Sequence, residues 1–121
     1  MVYIGTSLQV IDNSGARVVE CIKVLGNGRN IASAGSVIVV AVKRVNPRKR
    51  IKKGEIYKAI LVGTSKSNLR KNGFHVCFDD NYAVIVNNKS IPIGTRVLGP
   101  VMMNVRLFGF IKIVSMATLS V

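Results

Sequence analysis

Carboxylates are scarce in this chain: five Asp and Glu stand against eighteen Lys and Arg, a formal net charge of +13 over 121 residues. Histidine is reduced to His75, and tryptophan is missing altogether. So few acids, bases and nucleophiles leave little from which to build an active site. Asp12, Glu20, Glu55, Asp79 and Asp80 are all the carboxylates there are, and the adjacent Asp79 and Asp80 point apart in an extended turn. No G-x-S-x-G, P-loop or dinucleotide fingerprint occurs, and Gly26-Asn27-Gly28 lacks the third glycine. The chain does not read as an enzyme. Cys21 and Cys77 are too few for a disulfide scaffold; both lie in apolar alternating stretches and read as small buried side chains in a reducing compartment. His75 and Cys77 share one face of a predicted strand and, with Cys21, make the one conceivable ligand set, but the spacing fits no common zinc pattern. No metal and no cofactor is therefore expected. Long apolar runs are absent too: the longest is Val37–Val42, against about 20 residues for a membrane span. Nothing at the N-terminus resembles a targeting segment, and no membrane partner is expected.

What the chain has is positive charge in one place. Eleven of the eighteen cations fall between Lys43 and Lys71, with Glu55 the sole acid among them, so that stretch holds +10 of the +13. Like charges packed so densely repel one another and weaken a fold unless a polyanion neutralises them. The charge therefore points to a nucleic-acid contact surface. The run Pro47-Arg48-Lys49-Arg50-Ile51-Lys52-Lys53-Gly54 is bracketed by a proline and a glycine, which place it on a loop or hairpin end. Lys66, Arg70 and Lys71 form a second cluster, which strand pairing is expected to bring beside the first as one patch at one end of a barrel. Single-strand readers interleave aromatics with cations, whereas Tyr57 is the only aromatic in this stretch. The patch should clamp phosphates and read folded shape. By charge alone, a free-standing basic barrel docking on acidic protein or an anionic membrane surface is the alternative.

Apolar residues make up 49% of the chain, and Val and Ile alone number 32, too many for a disordered basic tail. The apolar rhythm predicts short strands over Leu8–Ile11, Val18–Leu25, Ser36–Val45, Ile56–Thr64, Phe74–Phe78 and Ala83–Asn87. Turn signals separate them. Asp12-Asn13-Ser14-Gly15 offers Asx capping and a glycine for positive φ, and Asn72-Gly73 suits a type I′ hairpin. Short strands with no helical pattern before residue 100 imply a small closed barrel or sandwich. From Pro100, Met102, Met103, Val105, Leu107, Phe108, Phe110, Ile111, Ile113 and Val114 are too dense for periodicity to separate a strand from a buried short helix; one or two short helical turns packed on the barrel mouth are the expectation. The whole is one domain, 1–121, with barrel and basic loops in 1–100 and the helical region in 101–121.

Three motifs, in order, then point to a family. Leu8 to Arg17 (Leu-Gln-Val-Ile-Asp-Asn-Ser-Gly-Ala-Arg) with Cys21 to Gly26 comes first. The second is Ala59-Ile-Leu-Val62 followed by Asn72-Gly73, Phe78, Asn81 and Val84-Ile85; the third is Ile91-Pro-Ile-Gly-Thr-Arg-Val97 with Gly99-Pro100-Val101. The chain resembles the large-subunit ribosomal protein fourteen family, of bacterial or organellar type, over nearly its whole length. The resemblance implies a five-stranded closed β-barrel with a C-terminal region of short helices, and a structural, non-enzymatic role. Its implied partners are large-subunit rRNA, small-subunit rRNA across the subunit interface, neighbouring large-subunit ribosomal proteins and a ribosome-silencing factor. On that basis the residues expected to meet RNA are Arg17, Lys43, Arg44, Arg48, Lys49, Arg50, Lys52, Lys53, Lys66, Arg70, Lys71, Arg96 and Arg106. Thr95, Arg96 and Ser115 are expected on the inter-subunit and partner face. Lys49 stands where the family usually has glycine, and Met102 to Arg106 replaces a charged turn. That apolar tail implies a divergent ribosome, in the mitochondrial matrix rather than a bacterial cytoplasm, with further protein covering it.

Overall fold

The computed structural model describes residues 2–26, 28 and 30–121, so the middle of the Gly26-Asn27-Gly28 triplet lies outside the described residues. Five strands close the barrel: β1 (Ser7–Val10), β2 (Ala16–Val24), β3 (Val37–Val45), β4 (Ile56–Gly63) and β7 (Tyr82–Val86). Each is antiparallel to its neighbours except where β1 meets β7, in parallel, with Gln9 opposite Tyr82 and Val10 opposite Ala83. Closure leaves the barrel itself no free edge for another chain to extend. Between β4 and β7 the chain leaves the barrel as a two-stranded ribbon, β5 (Asn68–Leu69) and β6 (His75–Val76). The closed five-stranded β-barrel agrees with the expectation from sequence.

Residues of alternate pleat fill the interior, where Leu8, Val19, Cys21, Ile38, Val40 and Val42 meet Ala59, Leu61, Ala83 and Ile85. On β4 and β7 the residues between these are buried as well. Ile60, Val62, Val84 and Val86 pack outward against Val97, Val101, Val105 and Ile113. That two-sided burial is why Ala59-Ile-Leu-Val62 and Ala83-Val-Ile-Val86 carry no polar residue. The covering layer contains α1 (Asn104–Leu107) and α2 (Ile111–Met116), closed on itself by a Val101–Ser120 bridge and tied to β4 by Met102 N–H donating to Val62 C=O at 2.9 Å. The short helices are thus present, but they lie on the β4–β7 wall and not on the barrel mouth. The reason is that the wall, with its second apolar face, is where burial can be gained.

Three local expectations change. The ribbon turn is not a two-residue type I′ turn. Arg70 C=O accepts from Gly73 N–H at 3.0 Å and Phe74 C=O from Arg70 N–H at 2.8 Å, and only Gly73 has positive φ (+86°). Asn72 spends its side chain accepting from Phe74 N–H. Leu69 pairs with His75, and the short strand before the turn is too polar to show in the apolar rhythm. Cys77, expected buried, is exposed, because the ribbon strand stops at Val76 and leaves it clear of the barrel; Cys21 is buried as expected. Met102 is fully buried, yet Phe108 keeps 60% of its surface, so the tail is only half accounted for within the chain.

Leu61→Ala in the interior and Ile113→Ala in the outer layer should each lower stability by about 2–5 kcal/mol in urea unfolding. A loss confined to Leu61→Ala would mean that the outer layer lies outside the cooperative unit.

Candidate nucleic-acid interface

Strand directions sort the loops into two groups. At one end lie the turn 11–15, the basic loop 46–55 and the segment after β7; at the other lie the loop 25–36 and the ribbon. The basic loop leaves β3 at Val45, beside Ala16, and re-enters at Ile56. It is not a free tether. Asn46 N–H donates to Gly15 C=O at 2.8 Å, and Asn46 itself caps the first turn, its Oδ1 accepting from Arg48 N–H and its carbonyl from Lys49 N–H. Midway, Ile51 is buried and joins the interior cluster as an anchor. On the return side Gly54 N–H donates to Val42 C=O, and the Tyr57 hydroxyl donates to the Glu55 carboxylate, which pushes the Tyr57 pKa up. With both stems and the middle held, Arg48, Lys49, Arg50, Lys52 and Lys53 all remain exposed.

Arg17, Lys43, Arg44 and Arg96 are exposed at the same end, which gathers nine of the expected RNA-facing cations. Lys43 also reaches Glu20 at 3.7 Å, an exposed pair worth little in water. The remainder lie elsewhere. Lys66, Arg70 and Lys71 sit on or beside the ribbon, beyond the far end of the eight-residue β4. At roughly 3.3 Å per residue that is about 26 Å from the basic loop, so the two clusters do not merge into one patch as the sequence reading expected. The hydrogen-bonded path between them runs along β4, which separates the loops it connects. Arg70 is partly spent on the fold, its guanidinium donating to Val121 O at 2.7 Å. Arg106 is exposed on α1 and Ser115 on α2.

The turn 12–15 ties three segments to this end. Asp12 is buried, and its carboxylate accepts from the Ser14 hydroxyl and N–H and from Ile85 N–H of β7 at 3.0 Å. Burial raises its pKa despite those donors. Asn13 reaches the other way, its Oδ1 accepting from Thr95 N–H at 2.8 Å and Arg96 N–H at 3.0 Å while Nδ2 donates to the Thr95 hydroxyl. Gly15, at φ +116°, lies so close to Lys49 that a Cβ there would stand 2.4 Å from the Lys49 Cβ. Lys49 itself has no positive φ, so a side chain is accommodated at that loop position without backbone strain. The sequence marked this turn for Asx capping and glycine, and both are found; the reach of Asn13 across to Thr95 has no local signal, being a contact over 82 residues.

The residues that hold Thr95 and Arg96 also bring them near α2: Val97 N–H donates to Met116 C=O at 3.4 Å, next to Ser115. At the ribbon end, Leu69 (70% exposed), Phe74 and Leu107 (80% exposed) line an apolar groove of about 650 Å³ whose rim includes Arg70 and Lys71. No cluster of three or more His, Cys, Asp or Glu suited to a metal occurs among the described residues. No described helix is long and apolar enough to cross a membrane.

A family model described as Ribosomal protein L14p/L23e matches residues 1–121, the full length of the chain.

Because Asp12 holds its proton more tightly folded than unfolded, its contribution to stability is full below the ordinary value of 3.8 and is lost as pH rises through the raised one. The stability advantage of the parent over Asp12→Asn should therefore shrink as urea unfolding is repeated from acid toward neutral pH. At neutral pH the variant should still be weaker by about 1–3 kcal/mol, since the amide sets a donor against a donor. A difference that stays constant with pH would count against this account.

Proposed function

The chain belongs to the ribosomal protein L14p/L23e family, and we propose that it binds large-subunit rRNA through the basic end of its barrel. Family membership makes it a structural constituent of the large ribosomal subunit, acting in translation and not as an enzyme. The observation that carries the proposal is the convergence of Arg17, Lys43, Arg44, Arg48, Lys49, Arg50, Lys52, Lys53 and Arg96 on one end, on a loop pinned at both stems and at Ile51. A preorganised cationic loop loses little conformational entropy when it meets a phosphate chain, and each phosphate neutralised releases counterions. With the Tyr57 ring partly buried against the interior cluster, the end offers charge and shape in place of base stacking.

Thr95, Arg96 and Ser115 make the inter-subunit face, which meets small-subunit rRNA and receives a ribosome-silencing factor. Its support is the exposure of all three and the Val97–Met116 hydrogen bond that sets their segments side by side. Lys66 and Lys71, at the ribbon, and Arg106, on α1, serve a second RNA element distant from the first. Arg70 contributes there chiefly by holding Val121. Neighbouring ribosomal proteins cover the exposed Leu69, Phe74, Leu107 and Phe108, an apolar surface that RNA would leave unsatisfied. That same surface supports placement in a mitochondrial ribosome, where additional protein covers it.

Replacing Arg48, Lys49 and Arg50 together by alanine should abolish tight binding to large-subunit rRNA while leaving the barrel folded by circular dichroism. For the parent, six to eight phosphate contacts would reduce affinity by several orders of magnitude between low and moderately high salt. In a sucrose gradient the parent should co-migrate with the large subunit; a protein found only at the top would sink the proposal.

A further inference from the structure

The basic loop and the segment Ile93–Thr95 wall one cleft. Lys49, Arg50 and Ile51 form one side, Ile93, Gly94 and Thr95 the other, and the turn at Asn13 and Ser14 closes the base, enclosing about 330 Å³. We propose that this cleft is a single phosphate-binding site for an RNA backbone, in which Lys49 and Arg50 supply charge, the Thr95 hydroxyl supplies a hydrogen bond, and Asn13 is the positioning residue. The proposal rests on the RNA-binding reading and deepens it.

The chemistry of the cleft fits a phosphodiester. Its cations come from one wall only, so an anion held by them lies against the opposite wall, where Thr95 presents an exposed hydroxyl. That hydroxyl already accepts from Asn13 Nδ2, which leaves its own proton to donate outward to a phosphate oxygen. Asn13 also holds the backbone of the wall through Thr95 N–H and Arg96 N–H, so both lone pairs of its Oδ1 and one of its two Nδ2 protons are engaged in fixing the wall. Gly94 allows the approach, because a Cβ there would stand 2.7 Å from Asn13 Oδ1. The other wall is fixed to the same turn by Gly15, through its contact with Lys49 and its hydrogen bond to Asn46. The width of the cleft is thus set by three consecutive residues, Asn13, Ser14 and Gly15, and a phosphate can be gripped from both sides without either wall moving. No carboxylate lines the cleft, the nearest in sequence, Asp12, being turned inward to Ser14 and Ile85.

The test measures binding of the full chain to large-subunit rRNA and, separately, to small-subunit rRNA over a range of salt. Thr95→Val, which keeps the Asn13 bonds to the backbone, should weaken binding about five- to tenfold on the RNA that occupies the cleft. Asn13→Ala should weaken it by about tenfold and, though it removes no charge, should reduce the salt slope by up to about one contact because the phosphate, no longer held against the Thr95 wall, is less fully neutralised by Lys49 and Arg50. The double variant should be no worse than Asn13→Ala alone. Effects that multiply in the double variant, or an unchanged slope in Asn13→Ala, would overturn the proposal. So would parental binding by Thr95→Val while the Arg48, Lys49 and Arg50 triple variant is weakened; parental binding by the triple variant would bring down the RNA reading itself. Should Asn13→Ala fail to fold, Thr95→Val decides alone. The RNA whose affinity falls identifies which subunit fills the site.

Discussion

Burial of both faces of β4 and β7 is the constraint on which the remaining structure hangs. A barrel strand ordinarily turns one face to water, and these two do not. Their outer residues, Ile60, Val62, Val84 and Val86, need a cover, and the chain after residue 96 supplies it with Val97, Val101, Val105 and Ile113. Covering that wall commits the tail to a path past the turn at 11–13, where Leu98 N–H meets Ile11 C=O at 2.6 Å and Val97 pairs with Asp12. Thr95 and Arg96 are delivered to the basic end as a by-product of that route. An apolar requirement on one side of the molecule thereby places polar residues on another.

The turn at Asp12–Gly15 converts this route into a fixed geometry. Each of its side chains or carbonyls faces a different element: Asp12 faces β7, Asn13 the 95–96 segment, Gly15 the basic loop. Buried Asp12 is costly to desolvate, and its donors offset part of that cost. Two of the three attachments use a residue type with no substitute of equal reach. Glycine alone lets the loop approach so closely at φ +116°, and asparagine alone combines two acceptances with a donation at that distance.

Much of this was legible in the sequence, for reasons that differ by element. The five barrel strands announced themselves because each carries an apolar residue at every interior pleat, and the basic loop because proline and glycine bracket its charges. Gly15 and Asp12 were legible as turn formers since an Asx turn is a contact over two residues. What escaped was non-local. Asn13 bonding to Thr95, the packing of the tail on the β4–β7 wall, and the wide spacing of the two basic clusters depend on strand direction and closure, which a local pattern does not encode. Asn68–Leu69 escaped because a two-residue strand carries no rhythm, and Cys77 because an apolar neighbourhood in sequence, Val76 to Phe78, lay on a ribbon with no core behind it.

The length of β4 has a consequence for how the molecule behaves among polyanions. Its eight residues hold the basic end and the ribbon cations about 26 Å apart, several times the roughly 8 Å over which charges feel one another at physiological ionic strength. The two ends are therefore electrostatically deaf to each other. Neutralising one neither attracts nor repels a ligand at the other, so any cooperation between them is mechanical. Once one end is anchored, the rigid barrel presents the other at a fixed reach and a high local concentration, in the manner of a strut with a grip at each end. A strut tolerates exchange of charges at either grip, while an insertion within β4 would change the span.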